Sequence, residues 1–223
     1  MQFKYMGFQV IYFPYVSSTQ EIAKNILMDR VAIVADEQNA GRGRRGRIWH
    51  SPPGGLWITA ILKSTLEPQI LSLVGGIAIA KALEKKGYKA CLKWPNDVIY
   101  KGKKLAGVIG EHYKGYILLG MGINLQNDIP EEIRDIAINI PNLPRDDLLP
   151  TLLETLEDEI AKERDEIIKD WKKYNCTLGK KVKIVEDESF VGLAKDLTPE
   201  GFLLVEKEGE IKKVVAGDVI ILQ

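Results

Sequence analysis

The sequence predicts an α+β fold in two parts, a larger one that mixes strands with helices and a small all-β barrel after it. Three observations carry that prediction. Helical apolar stripes (Ile22, Ala23, Ile26 and Leu27; then Leu71, Val74, Ile77, Ala78 and Leu83) alternate with short apolar runs of strand length. After Gly179 the helical pattern stops and five short strands follow, separated by turn residues such as Pro199-Glu200-Gly201. Between two strand-like runs lies Gly41-Arg42-Gly43-Arg44-Arg45-Gly46-Arg47, which no core could bury.

In order, Gln9–Phe13 reads as the first strand, and Ser18-Thr19-Gln20-Glu21 as a capping box opening the first helix. Val31–Ala35 is a short buried strand. Gly55–Lys63 is apolar at both parities, so both of its faces should be covered. The next helix should end at Gly87. Cys91–Val98 is a strand broken at Pro95, which presents Asn96 and Asp97 at a turn. Lys101-Gly102 and Lys114-Gly115 mark two hairpins. The proline-rich stretch from Asn127 to Pro144 reads as a lid or a long connection. One long helix is expected from Asp146 or Asp147 towards Tyr174, and the domain boundary near Cys176–Gly179, giving parts 1–177 and 178–223.

A chain of 223 residues can bury one substantial core plus a small second domain. Its formal net charge is zero, so the arginines are a local feature, which argues against sequence-independent nucleic-acid binding. No apolar run spans a membrane, and the N-terminus lacks signal-peptide character. Cys91 and Cys176 lack metal-ligand spacing, and two histidines make neither a zinc site nor a histidine-activated nucleophile. The expectation is a cytoplasmic protein with reduced cysteines.

The arginine loop supplies permanent charges whose planar forks fit carboxylate or phosphate. Its glycines let the backbone approach a ligand, and Trp49 offers a flat apolar face beyond it. Together these point to an anionic nucleotide site. The loop matches G-x-G-x-x-G, but Ile48-Trp49-His50-Ser51-Pro52-Pro53 cannot start the helix that a dinucleotide site requires. The other kinase motifs are absent, and the loop is too short and single for an arginine–glycine RNA-binding tract.

Three stretches in this order resemble the biotin protein ligases: the arginine loop with Trp49, Lys93-Trp94-Pro95-Asn96-Asp97, and Lys104-Leu105-Ala106-Gly107. Ser18-Thr19, Gln38 and Gly120-x-Gly122-Ile123-Asn124 also stand where that family has matching residues. The resemblance covers nearly the whole chain. It implies a class II synthetase-like catalytic domain, a mixed sheet packed with helices, followed by an SH3-like barrel. The chain enters the catalytic domain within about its first ten residues, so no N-terminal DNA-binding domain is expected.

The implied reaction joins biotin to AMP from ATP, with Mg²⁺, and then passes biotin to a lysine of a biotin carboxyl carrier domain. By resemblance, Ser18, Thr19, Gln20, Gln38, Arg42, Gly43, Arg44, Lys104 and Gly107 bind biotin, Gln20 standing where Asn is common. Arg42, Arg44, Arg45, Arg47, Trp49, Asn96, Lys104 and Asn124 face the nucleotide. Lys104, Arg44 and Asp97 stand at the reactive centre, and the arginine loop should order over the ligand. No DNA or membrane partner is implied, and a homodimer is. A lipoate–protein ligase shares the fold and the adenylation. An RNA-binding module and a non-catalytic biotin sensor are the readings from other classes.

Overall fold

The computed structural model describes residues 2–5, 7–185 and 189–222. Strands β1 (Gln2–Tyr5), β2 (Phe8–Val16), β3 (Val31–Gln38), β4 (Leu56–Leu62), β5 (Cys91–Lys93), β6 (Asp97–Tyr100), β7 (Lys103–Tyr113) and β8 (Tyr116–Ile123) form one sheet. Their spatial order is β1-β2-β3-β4-β8-β7-β6-β5. Helix α1 (Thr19–Ile26) links β2 to β3, which run parallel; all other pairs in this sheet are antiparallel. The first strand expected at Gln9–Phe13 is thus β2, and the hairpin joining it to β1 carries no turn signal beyond Gly7.

The sheet is covered on both faces, which is why every residue of β4 is buried. On one face α1 packs Ala23 against Val31, Ile33, Ile61 and Leu118. On the other lies α2 (Pro68–Lys85), backed by α3 (Arg145–Ile160) and α4 (Arg164–Tyr174). The apolar spacing of α2 predicts a single buried stripe. The helix is instead buried nearly all round, because α3 and α4 cover its outer side. On its inner side Gly75 lets α2 settle closely on the sheet: a Cβ there would stand 2.8 Å from Val108 Cγ1 of β7.

The long helix expected to reach Tyr174 is broken at 161–163 into α3 and α4. Charge convergence explains the break. Folding α4 back brings buried Glu159 and Asp170 onto the same two lysines, with Lys81 at 2.7 and 2.9 Å and Lys162 at 2.6 Å from each. Periodicity could not reveal this, because apolar spacing continues through the turn. The expected capping box is also only half present. Ser18 occupies the N-cap but makes no cap bond, and Glu21 turns outward to Lys24 and Arg42.

The chain then forms a five-stranded antiparallel sheet from β9 (Lys181–Val185), β10 (Phe190–Leu197), β11 (Leu203–Lys207), β12 (Glu210–Val214) and β13 (Asp218–Ile221). Its order is β12-β11-β10-β9-β13, so the last strand returns to pair with the first. Trp94, preceding a cis proline, is wholly buried where the two sheets meet and donates from Nε1 to the Gly201 carbonyl at 2.9 Å. Cys91 and Cys176 are both free and half-buried. They are brought near each other because Cys176 N–H bonds the Leu92 carbonyl at 2.9 Å.

The Lys81, Lys162 and Lys173 ammoniums hold the Asp170 carboxyl well below the usual carboxylate range, against the opposing effect of burial. A depressed carboxyl stabilises the fold above its unfolded pKa of about 3.9, and that contribution is lost as pH falls through the lower folded value. Asp170→Asn should therefore cost about 1–3 kcal/mol at neutral pH and flatten the acid limb of the stability curve. Urea unfolding at pH 7 and pH 3 measures both effects; equal losses at the two pH values would contradict the assignment.

Candidate functional site

The α1 face of the large sheet is only partly covered by α1, and beside it lies a cavity of about 350 Å³. Its floor is made of glycines. Gly107 and Gly122 face each other across β7 and β8, and Gly120 lies two residues away on the same face. Side chains from elsewhere need that flatness. A Cβ on Gly122 would meet Trp49 Nε1 at 2.5 Å, and one on Gly120 would meet Gln20 Oε1 at 2.1 Å.

One end of the cavity is polar, and helix geometry makes it so. The chain leaves β2 and begins α1 at Thr19, turning Ser18, Thr19 and Gln20 inward, where all three are buried. Gln38, ending β3, accepts at Oε1 from Thr19 N–H at 2.8 Å and from Thr19 Oγ1 at 3.1 Å.

The arginine loop closes one side. It has a hairpin form, with Gly43 N–H to the Arg47 carbonyl at 2.7 Å and Trp49 N–H to the Gly41 carbonyl at 2.8 Å. Gly41 must be glycine, since a Cβ would stand 2.4 Å from the Trp49 carbonyl oxygen. Arg42 reaches Glu21 at 2.6 Å and Glu111 at 3.2 Å. Arg44 donates to Asn96 Oδ1 at 3.1 Å and to the Gly217 carbonyl at 3.4 Å. Arg47 pairs with Asp218 at 2.8 Å. Burial pushes the Arg44 guanidinium below its ordinary pKa, while Asp218 and Asp97 pull it up.

Lys104 stands where loop, floor and hairpin meet. Its ammonium lies 2.6 Å from Asp97 and 5.1 Å from the centre of the Trp49 ring. Asp97 also approaches Lys93 at 3.5 Å.

Of the residues singled out from sequence, Ser18, Thr19, Gln20, Gln38, Arg42, Gly43, Arg44, Arg47, Trp49, Asn96, Lys104, Gly107 and Asn124 all line this cavity. Two do not. Asp97 sits behind Lys104, and Arg45 is turned out to solvent at positive φ (55°). The proline-rich stretch, expected as a lid or a long connection, supplies a further wall through Asn127, Ile129, Pro130, Ile133, Ile136 and Ala137, none of which was singled out from sequence. That stretch is anchored by backbone bonds from Lys104 N–H to Ile136 and from Ile138 N–H to Lys104. Sequence reasoning also missed Gly217 and Asp218, which have no signal beyond lying at a strand start.

A flat-floored cavity with a polar end, a cationic loop and a lysine–aspartate pair, on a mixed sheet with a small antiparallel sheet beside it, defines a ligand-binding α+β protein built for a polar-headed anion. The chain belongs to the biotin/lipoate A/B protein ligase family, whose model matches residues 12–128, and the biotin protein ligase C-terminal domain matches residues 177–222. It is similar to the bifunctional ligase/repressor BirA of Bacillus subtilis, 32% identical over 96% of this chain and 74% of that protein. The biotin–[acetyl-CoA-carboxylase] ligase of Mycobacterium tuberculosis is 30% identical over 88% of this chain and 80% of its own. The biotin protein ligase of Aquifex aeolicus, solved in complex with biotin and ATP, superposes with a TM-score of 0.86. It is 32% identical, and the match covers 96% of this chain and 98% of that one.

The Arg47–Asp218 pair is open to water (55% and 36% exposed), so it adds only about 0–1 kcal/mol to global stability. Its role is local. Asp218→Asn should leave the thermal midpoint nearly unchanged while speeding tryptic cleavage at Arg44 and Arg47 several-fold. Unchanged cleavage kinetics would show that the loop does not depend on this contact.

Proposed function

We propose that the protein is an ATP-dependent biotin–protein ligase acting on a biotin carboxyl carrier domain. The observation that carries the reading is the convergence, in one cavity, of the Thr19–Gln38 polar end with Lys104 and the Arg42–Arg44 loop. The first suits a neutral hydrogen-bonding ring and the second an anionic tail with a phosphate, and biotinyl-AMP has both. Family membership and the biotin- and ATP-bound relative support the same conclusion.

In the first half-reaction an oxygen of the biotin carboxylate attacks the α-phosphorus of ATP, and the bond to the bridging β-oxygen breaks, releasing pyrophosphate. The carboxylate is already ionised at neutral pH, so no base is required. The requirement is to hold two anions together and neutralise the charge that develops. Lys104 and Arg44 do this, with Trp49 covering the reacting groups from water. Mg²⁺ would be carried on the nucleotide phosphates. When bound, the ion would supply charge neutralisation at the leaving pyrophosphate, beside the fixed charges of Lys104 and Arg44.

In the second half-reaction the carrier lysine attacks the acyl carbon of biotinyl-AMP, and the bond to phosphate breaks, releasing AMP. The attacking amine loses its proton to water, and we assign Asp97, set behind Lys104, to holding that ammonium at the reactive centre. We further propose a division at residue 177, a cytoplasmic setting in keeping with two free cysteines, and a homodimer, testable by sedimentation.

The test is biotin-dependent pyrophosphate release from ATP and Mg²⁺, with lipoate in a parallel reaction. Biotin alone should support release; release with lipoate alone would keep the chemistry and change the substrate. Lys104→Ala should reduce adenylate formation by about 100-fold or more, the scale of losing one charge-stabilising donor. Arg44→Gly should instead still form biotinyl-AMP but let it escape, raising non-specific lysine labelling. Loss of biotin affinity alone in both variants would refute this division of labour.

A further inference from the structure

Behind the polar end of the cavity runs a chain of buried groups that the reaction above does not use. Thr59, in the middle of β4, is fully buried, with its hydroxyl 2.8 Å from Thr19 Oγ1. Gln38 Nε2 donates to Ser51 Oγ at 2.9 Å, and Ser51 Oγ donates to the Trp49 carbonyl at 2.9 Å. Ser51 is also buried, and neither Thr59 nor Ser51 lines the cavity.

The direction of every bond in this chain is set from its two ends. At one end the backbone N–H of Thr19 can only donate, so it holds Gln38 Oε1 towards itself. At the other end the Trp49 carbonyl can only accept, so Ser51 must donate to it and accept from Gln38 Nε2. The Gln38 amide therefore has one possible orientation. Thr19 Oγ1 also donates to Gln38 Oε1, so Thr59 must be the donor to Thr19. Two consequences face the cavity. Thr19 has committed its only hydroxyl proton and retains a lone pair. Gln38 has both lone pairs engaged and retains one N–H.

We propose that Thr59 and Ser51 are positioning residues that impose this pattern, an acceptor at Thr19 beside a donor at Gln38. The pattern selects a ligand ring with an N–H next to a carbonyl, as in a cyclic urea, over a ring with no hydrogen-bonding group. This deepens the biotin reading and rests on it, since biotin carries such a ring and the dithiolane of lipoate does not. The same chain ties ring recognition to the backbone of Trp49, so the polar end and the lid over the reacting groups share one network. An apolar replacement at Thr59 would free the Thr19 hydroxyl to rotate and present its proton, turning an acceptor into a donor at the point of ring contact.

The test compares Thr59→Val, Thr59→Ser and Ser51→Ala with the wild type by pyrophosphate release and by calorimetric titration with biotin. Thr59→Val, nearly isosteric, should raise both KM and Kd for biotin about tenfold, with kcat and the KM for ATP unchanged. Thr59→Ser should restore wild-type values. Ser51→Ala should weaken biotin similarly, because the Gln38 amide is then free to flip. A biotin Kd within twofold of wild type in a folded Thr59→Val, or equal rises in KM for biotin and ATP, would overturn the assignment. If Thr59→Val does not fold, an unchanged biotin Kd in Ser51→Ala is decisive against it. Wild-type protein that binds biotin but releases no pyrophosphate would defeat the ligase reading while leaving the relay standing; failure to bind biotin at all would overturn both.

Discussion

Positive charge has to be gathered in one place before any anion arrives, and that constraint shapes the site. Arg42, Arg44, Arg47 and Lys104 surround a single cavity. Two like charges about 4 Å apart repel by roughly 1 kcal/mol in water and several times more near a protein surface. Each cation is accordingly held by a counter-group from another part of the chain: Glu21 and Glu111 for Arg42, Asn96 and the Gly217 carbonyl for Arg44, Asp218 for Arg47, Asp97 for Lys104. The partners come from α1, β6, β7 and the start of β13, so the loop is a meeting point of both sheets.

The large sheet meets the opposite requirement at the floor. There the need is for nothing to protrude, and Gly107, Gly120 and Gly122 meet it where Trp49 and Gln20 come down onto the strands. The alternation of a strand's two faces explains the contrast within β8. Ile117, Leu119 and Ile123 pack into the core on the α2 side, while Gly120 and Gly122, of the opposite parity, lie beneath the ligand-facing groups.

Much of this was legible in the sequence. Strands with both faces buried, the two hairpins, the arginine loop and the five terminal strands announce themselves through period and turn chemistry. The cavity residues carried by Gly-Arg, Lys-Trp-Pro-Asn-Asp and Lys-Leu-Ala-Gly were legible through the family resemblance that those stretches carry in that order. What stayed hidden shares a different property. The break between α3 and α4 depends on carboxylates that meet only after folding, and the 127–137 wall is shaped by backbone bonds to Lys104 that leave no mark on side-chain pattern. Thr59 looks like any β-branched strand residue, and Asp218 like any strand-end acid. Their importance comes from neighbours distant in sequence, Thr19 and Arg47.

The return of β13 to pair with β9 has a bearing on cooperativity. Asp218 and Gly217 are held where they are only while the first and last strands of the small sheet remain zipped together. Proteins open in units, and a five-stranded module of this size is a natural one. Each opening of that module would release Arg47, held at 2.8 Å, and leave Arg44, far earlier in the chain, with Asn96 as its remaining partner. Amide exchange in β13 and the lifetime of the Arg47 contact should therefore be governed by one equilibrium, so that the far end of the chain sets how long this side of the loop stays moored.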